Sequence, residues 1–229
     1  MTEYITDSSQ NYLKVIYDLT ASGEPASTNA VAARLGIAPA SVTGMLQRLA
    51  ASHPPLVKYR RHQGVRLTRA GERAALEVIR HHRLIETFLQ QSLGYSWDEV
   101  HEEAERLEHA ISEDLEARIA EVLGNPKRDP HGDPIPTAAL TMPRTRDVPL
   151  GRVQPGQRAV LRRVRTEDPA LLRHLEELGL VPGVRLKVLG HSSFDGTVRL
   201  SLKGEEITLG PAVGKLIYAE VQRASRGLS

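Results

Sequence analysis

The sequence predicts a mainly α-helical chain that ends in a small β domain. Three observations carry this: helical apolar spacing through most of residues 9–123, a short basic hairpin breaking it near residue 60, and short alternating segments after residue 148 separated by turns such as Asp195-Gly196 and Lys203-Gly204. A chain of 229 residues has room for two or three small cores. Aromatic residues make up only 4 %, so those cores rest on Leu, Val, Ile and Ala. The absence of cysteine excludes disulfides and thiolate metal sites. No apolar run approaches the roughly 18 residues of a membrane span. The start, MTEYITDSSQ, lacks the basic and apolar regions of a signal peptide, so a cytoplasmic location is expected.

The first helix is expected over residues 9–21, where Leu13, Ile16, Tyr17 and Thr20 share a face before Gly23 and Pro25. Ser27 can cap a second helix, Thr28 to Leu35, which Gly36 ends. Pro39 is tolerated in the first turn of a third helix that runs to about Ala51. Its buried stripe is Val42, Met45, Leu46 and Leu49. His53-Pro54-Pro55 breaks the chain, and strands Leu56–Tyr59 and Val65–Leu67 flank the basic tip Arg60-Arg61-His62-Gln63-Gly64. A long helix from Thr68 to about Leu93 ends at Gly94, and a further one is expected from about Trp97 to Leu123. The Pro-rich stretch 125–147 reads as an extended, partly mobile linker. Strands Arg158–Val164, Arg185–Leu189, Thr197–Leu202 and Ile217–Val221, with a helix Pro169–Leu178, suggest a small β-barrel.

Helix, turn, helix and a basic two-stranded wing is the layout of a winged helix-turn-helix, which would place the third helix in the DNA major groove and the wing along the phosphates. Arg60 and Arg61, with His62 beside them, suit phosphate neutralisation, and Arg48 can serve from the helix. The leading part of the third helix offers Ala38, Pro39, Ala40, Ser41, Thr43, Gly44 and Gln47. None supplies the arginine fork that reads guanine, so direct readout should be modest and helped by DNA shape. The same three-helix unit could instead be a protein-interaction module.

The net charge of +2 hides an asymmetry. Residues 1–75 carry nine Lys/Arg against five Asp/Glu, whereas residues 76–124 carry four against twelve. A basic head on an acidic middle suggests a polyanion partner at one end and cations at the other, although an acidic helix pair can simply have a solvated face. In VHEEAERLEHAI (Val100–Ile111), helical spacing places Ala104, Leu107, Ile111 and Leu115 on one side. His101, Glu105, Glu108 and His109 then form a stripe at its border. On the preceding helix His82 and Glu86 stand at i, i+4 and share a face. These carboxylates and imidazoles suit one or two divalent cations. With no thiolate, they favour manganese(II) or iron(II) over structural zinc.

With the winged helix, HxxxE, HxxxExxEH and then His131-Gly132-Asp133-Pro134-Ile135-Pro136 in that order, the chain resembles the diphtheria toxin repressor family of iron- and manganese-dependent regulators. The segment LLRHLEELGLVPG resembles that family's C-terminal SH3-like, FeoA-like domain. The resemblance implies a primary site of Glu105, Glu108, His109 and Asn11, and an ancillary site of His82, Glu86 and His101. A carboxylate from the small barrel, Glu167 or Asp168, would complete the latter. Iron-responsive members carry Cys at the position of Glu105 and manganese-responsive members carry Glu, which points to manganese. The first-helix ligand is usually Met or Asp, so Asn11 is a neutral, weaker substitute that Gln10 or a water could replace.

The expectation is thus a winged helix-turn-helix DNA-binding domain (1–72), a helical metal-binding and dimerisation domain (73–124), the linker (125–147) and an SH3-like domain (148–229). Such a protein would be a homodimer acting on a palindromic double-stranded operator, a non-enzymatic repressor with no organic cofactor and no membrane partner. The alternatives are a winged-helix regulator that senses a small molecule and a metallohydrolase using Glu108 or Glu105 as general base.

Overall fold

The computed structural model describes residues 6–222. They form two compact units: one of residues up to 82 with 108–111 and 136–142, the other of 83–107, 112–135 and 143 onward.

In the first unit, α1 (Asp7–Leu19) is capped by the Thr6 hydroxyl, which accepts from the Ser9 N–H. The helix starts two residues before the expected Ser9, because Thr6 supplies the cap. In α2 (Thr28–Leu35) the Ser27 hydroxyl accepts from Ala30 N–H, and Gly36 closes the helix at φ 66°. The third helix, α3 (Pro39–Ala51), begins on proline, as the sequence predicts. Strands β1 (Val57–Arg60) and β2 (Gly64–Leu67) pair antiparallel. Leu13, Ile16, Val31, Val42, Leu46 and Val65 are all fully buried in one core. Each such side chain contributes about 1.5–3 kcal/mol relative to exposure. Two glycines allow close backbone approach. A Cβ on Gly64 (φ 89°) would meet the Ala26 carbonyl at 2.6 Å, where Ala26 and Val65 exchange backbone hydrogen bonds. A Cβ on Gly71, in the first turn of α4 (Arg69–Leu93), would meet the Leu56 carbonyl at 1.9 Å.

In the second unit the single helix expected from Trp97 to Leu123 is two, α5 (Val100–Leu107) and α6 (Glu113–Val122). The Ser112 hydroxyl accepts from Leu115 N–H, and Glu113, Asp114 and Glu116 fill the first turn, where carboxylates suit the helix dipole. The break corrects the apolar stripe as well: Ala104 is buried, but Leu107 and Leu115 are 37 % and 45 % exposed. Glu108 and His109 lie in the turn after α5, so a continuous helical wheel does not place them.

The Pro-rich segment is no free tether over residues 129–135. Asp129, His131 and Ile135 are buried, and Val164 N–H donates to the His131 carbonyl at 2.9 Å. Gly132 (φ 87°) makes this possible, since a Cβ there would sit 1.8 Å from the Arg162 carbonyl. The C-terminal residues form β3 (Val148–Pro149), β4 (Arg158–Val164), α7 (Pro169–Glu177), β5 (Arg185–His191), β6 (Val198–Leu202), β7 (Glu205–Leu209), α8 (Pro211–Gly214) and β8 (Ile217–Val221). They make a six-stranded antiparallel sheet in the order β3-β8-β4-β5-β6-β7. Leu161, Leu172, Leu175, Leu180, Leu200 and Ile217 form its core. The sequence signals β7 only through its turn: Lys203 (φ 50°) and Gly204 (φ 96°) give the two left-handed residues of a tight hairpin. Among the described residues no helix is long and apolar enough to cross a membrane.

Candidate functional site

The α3 residues expected to face DNA divide by exposure. Ala38, Pro39, Ala40, Ser41, Gly44, Gln47 and Arg48 are exposed, while Val42, Met45, Leu46 and Leu49 face the core. Thr43 is half-buried, and its hydroxyl donates to the Pro39 carbonyl at 3.2 Å, which commits that proton to the helix. Arg60 and Arg61 are exposed at the hairpin tip, with His62 turned at φ 67°.

The acidic residues gather in two places. In the first unit Glu108 has a fully buried side chain. Its Oε2 accepts from His82 Nδ1 at 2.5 Å, and Lys14 Nζ donates to Oε1 and Oε2 at 2.8 and 2.9 Å. His109 Nε2 lies 3.4 Å from Oε1. The other nitrogen of that ring, Nδ1, donates to Gln10 Oε1 at 2.5 Å, which fixes the ring and turns Nε2 toward the carboxylate. Burial alone would raise the Glu108 carboxyl above the ordinary range. The hydrogen bond and charge of His82 and the Lys14 ammonium overcome it and hold the group below that range.

In the second unit His101 Nδ1 is 3.3 Å from Glu86 Oε1, and its Nε2 is 4.0 Å from Glu105 and 3.8 Å from Glu167. Of the two acids considered for the C-terminal contribution, Glu167 is therefore the one at His101. Asp168 is occupied elsewhere: its carboxylate caps α7, accepting from Ala170 and Leu171 N–H.

A further group surrounds Glu86. Ligand atoms of Glu86, Asp129 and His131, all buried, lie within 4.8 Å of one another. His131 Nε2 donates to the Trp97 carbonyl at 2.8 Å, its Nδ1 lies 3.7 Å from Glu86, and its ring stacks on Trp97 at 5.9 Å. Arg83 reaches Asp129 and Asp133 at 3.5 and 3.6 Å. Burial, and then the charges of Glu86 and Asp133, push the Asp129 carboxyl up to about 7 against the pull of Arg83 and His131. Burial opposes the charged form of His131, but Glu86, by hydrogen bonding and charge, and Asp129 raise it to about 9. The sequence motif contains His131 without giving it a role, and neither Asp129 nor Lys14 stands out in it. No periodicity marks Asp129, and a lone Lys on an amphipathic helix reads as solvated.

The donor set fits a divalent metal. Carboxylate and imidazole groups with no thiolate suit manganese(II) or iron(II). The buried Asn11 Oδ1 lacks a hydrogen-bond partner among the described residues, an uncommon condition that a ligated cation would relieve.

Comparison with known proteins agrees with this chemistry. Residues 4–65 match the iron dependent repressor N-terminal DNA-binding domain, residues 68–137 the iron dependent repressor metal-binding and dimerisation domain, and residues 148–221 the FeoA domain. The iron-dependent repressor IdeR of Mycobacterium leprae is 34 % identical, over 88 % of this chain and 91 % of its own length. A solved manganese-dependent transcriptional repressor in complex with manganese superposes with a TM-score of 0.84 at 39 % identity, covering 93 % of this chain and 99 % of that one. ScaR with bound Zn2+ gives 0.79 at 32 % identity, covering 92 % and 98 %. The chain belongs to the family of iron-dependent, diphtheria-toxin-type repressors.

Proposed function

We propose that this protein is a metal-dependent DNA-binding transcriptional repressor of metal-ion homeostasis genes, activated for operator binding by manganese(II) and, as the second candidate, iron(II). The observation that carries this is Glu108: a fully buried carboxylate set between two imidazoles, His82 and His109. A buried carboxylate needs compensating positive charge. The Lys14 ammonium supplies such charge here, a divalent ion can take over that role when bound, and two of the similar solved structures are complexes with manganese and with zinc.

The proposed ligands are Glu108, His109 and Asn11 at one site and Glu86 and His101 at another, with Glu105 and His82 implied by the family resemblance. Glu167, at 3.8 Å from His101, is preferred to Asp168. The group Glu86, Asp129 and His131 is a further candidate that shares Glu86. Gln10 acts by orienting His109, so it need not itself ligate. Glu at position 105, with no cysteine anywhere in the chain, favours manganese over a thiolate-preferring metal.

For DNA, α3 would enter the major groove with Ala38, Pro39, Ala40, Ser41, Gly44, Gln47 and Arg48 outward, while Arg60 and Arg61 neutralise phosphates. Two copies would place their reading helices about 34 Å apart on a palindromic operator. Leu93, Tyr95, Leu115 and Val122 carry exposed apolar side chains within the stretch matching the dimerisation domain, and they are proposed for the homodimer surface. The C-terminal sheet would curl into an SH3-like barrel. Reversing a two-state balance from 1:99 to 99:1 takes about 5.5 kcal/mol. One ligand at 100 times its Kd supplies about 2.7 kcal/mol, so a sharp response needs two sites.

The test is operator binding titrated with manganese for the protein and for a Glu108→Ala/His109→Ala variant. The expected result is a metal-dependent rise in the first and none in the second; an undiminished rise in the variant overturns the reading. A small-molecule sensor, the alternative reading, predicts no calorimetric manganese binding at all.

A further inference from the structure

The Lys14 side chain does something that the proposed metal reading does not require. Its ammonium sits at 2.8 and 2.9 Å from the two oxygens of Glu108, bridging the whole carboxylate. The carboxylate side chain is fully buried and that of Lys14 only 17 % exposed, so the pair is shielded from water and salt. His82 already takes one lone pair of Oε2. An ionised carboxylate offers about four lone-pair positions. Lys14 takes two of those that remain, including one on Oε1, the oxygen that faces His109 Nε2.

We propose that Lys14 is a tethered cation that competes with the metal for Glu108, so that its ammonium must leave the carboxylate as the ion arrives, and that it thereby sets the metal concentration to which the protein responds. This rests on the reading of Glu108 as a metal ligand. On one buried carboxylate the ammonium and a divalent ion repel each other in a medium that screens poorly, so each weakens the other's hold. Lysine suits the exchange: it is a compact point charge on a flexible four-carbon stem that can swing to solvent. Its position on α1 matters too. Gln10 and Asn11 precede it by four and three residues and so share its helix face. One face of one helix therefore carries the neutral oxygen proposed as a ligand, the amide that orients His109, and the cation that neutralises Glu108 when no ion is present. Metal-free protein keeps a compensated carboxylate, and its fold does not depend on the ion to supply that charge.

Manganese binding measured by calorimetry on the full chain tests this, with Lys14→Met, Lys14→Gln and Lys14→Arg compared with the wild-type protein. Thermal unfolding in chelator supplies a second readout that does not involve DNA. The fluorescence of Trp97, the only tryptophan and stacked on His131, reports on the other cluster as a control. The expected result is at least tenfold tighter manganese binding in Lys14→Met and Lys14→Gln, a lower Tm in chelator, and a larger rise in Tm on adding manganese. Lys14→Arg keeps the charge and should bind manganese no more tightly than wild type. Variants that fold only with manganese present would support the exchange directly; variants that stay unfolded in saturating manganese would reduce Lys14 to a structural role and overturn it. Binding unchanged or weakened in Lys14→Met and Lys14→Gln, with wild-type binding intact, overturns the competition alone. No manganese binding to the wild-type protein overturns both this and the metal reading.

Discussion

Two buried acidic groups, one in each compact unit, meet the same electrostatic problem with different means. Glu108 has a lysine and two imidazoles around a single carboxylate, and its carboxyl is held below the ordinary range. Asp129 lies among Glu86 and Asp133, with Arg83 and His131 as the opposing charges, and its carboxyl rises to about 7. One group is ionised and compensated; the other shares protons because three acids crowd two cations. Burial is common to both, so the balance of neighbouring charge decides. On the proposed reading the compensated site gives up a cation to accept a metal, whereas the crowded one gives up protons.

The largest effect expected from this contrast is on the metal response. Removing Glu108 and His109 should eliminate it, a loss of at least 100-fold in manganese-stimulated operator affinity, equivalent to about 2.7 kcal/mol. Removing Asp129 and His131 should only make it shallower, by about tenfold, in the same DNA-binding titration. Equal losses would erase the distinction between the two groups.

Next in size is Gly132→Ala. The positive φ alone costs about 1–3 kcal/mol for a residue with a side chain, and the Arg162 carbonyl must also move. Thermal unfolding should show the loss, and Trp97 emission should change as His131 shifts, while manganese binding at Glu108 stays intact. A Tm equal to wild type would mean that this loop does not hold His131 in place.

Acid and alkali should then separate the groups in chelated protein. The folded pKa of His131 is raised from 6.5 to about 9, so its contribution to stability is complete below pH 6.5 and lost as pH rises through 9. Asp129, raised from 3.8 to about 7, acts in the same direction, its contribution disappearing as pH rises through 7. Glu108 is lowered, so its contribution is present above the ordinary carboxylate range and lost as pH falls through its folded pKa. Asp129→Asn should flatten the alkaline limb of Tm against pH, and Glu108→Gln the acid limb. The opposite assignment would overturn the comparison.

The smallest effect concerns the wing, which belongs to the unit of Glu108. Arg60→Glu and Arg61→Glu should weaken binding to all DNA sequences alike. The slope of log affinity against log salt should become shallower by about 0.9 for each phosphate that is no longer neutralised. An unchanged slope would remove these arginines from the interface.

Much of this was legible because it is local. Ser27 and Gly36 bracket α2, Pro39 opens α3, and strands β4 and β8 fall where alternation places them, since caps, proline geometry and side-chain period act within a few residues. The helical wheel over Val100–Ile111, drawn on a helix expected from about Trp97 to Leu123, failed because Ser112, followed by two acids, starts a new helix and frees the turn that carries Glu108 and His109. That capping signal was readable, but the charge-rich run around it keeps a helical composition throughout.

By itself the sequence determined which chemistries are available: carboxylates and imidazoles without thiols, a basic hairpin, and helices that begin and end at identifiable caps. Tertiary structure decided which of those groups meet. It put Lys14 on a carboxylate 94 residues away, set Glu167 rather than Asp168 beside His101, and buried Asp129 and His131 in a segment composed like a linker. The reason is that hydrogen bonds, caps and periodicity depend on near neighbours in the chain, whereas the charge state of a buried acid depends on every group that folding brings within a few ångströms.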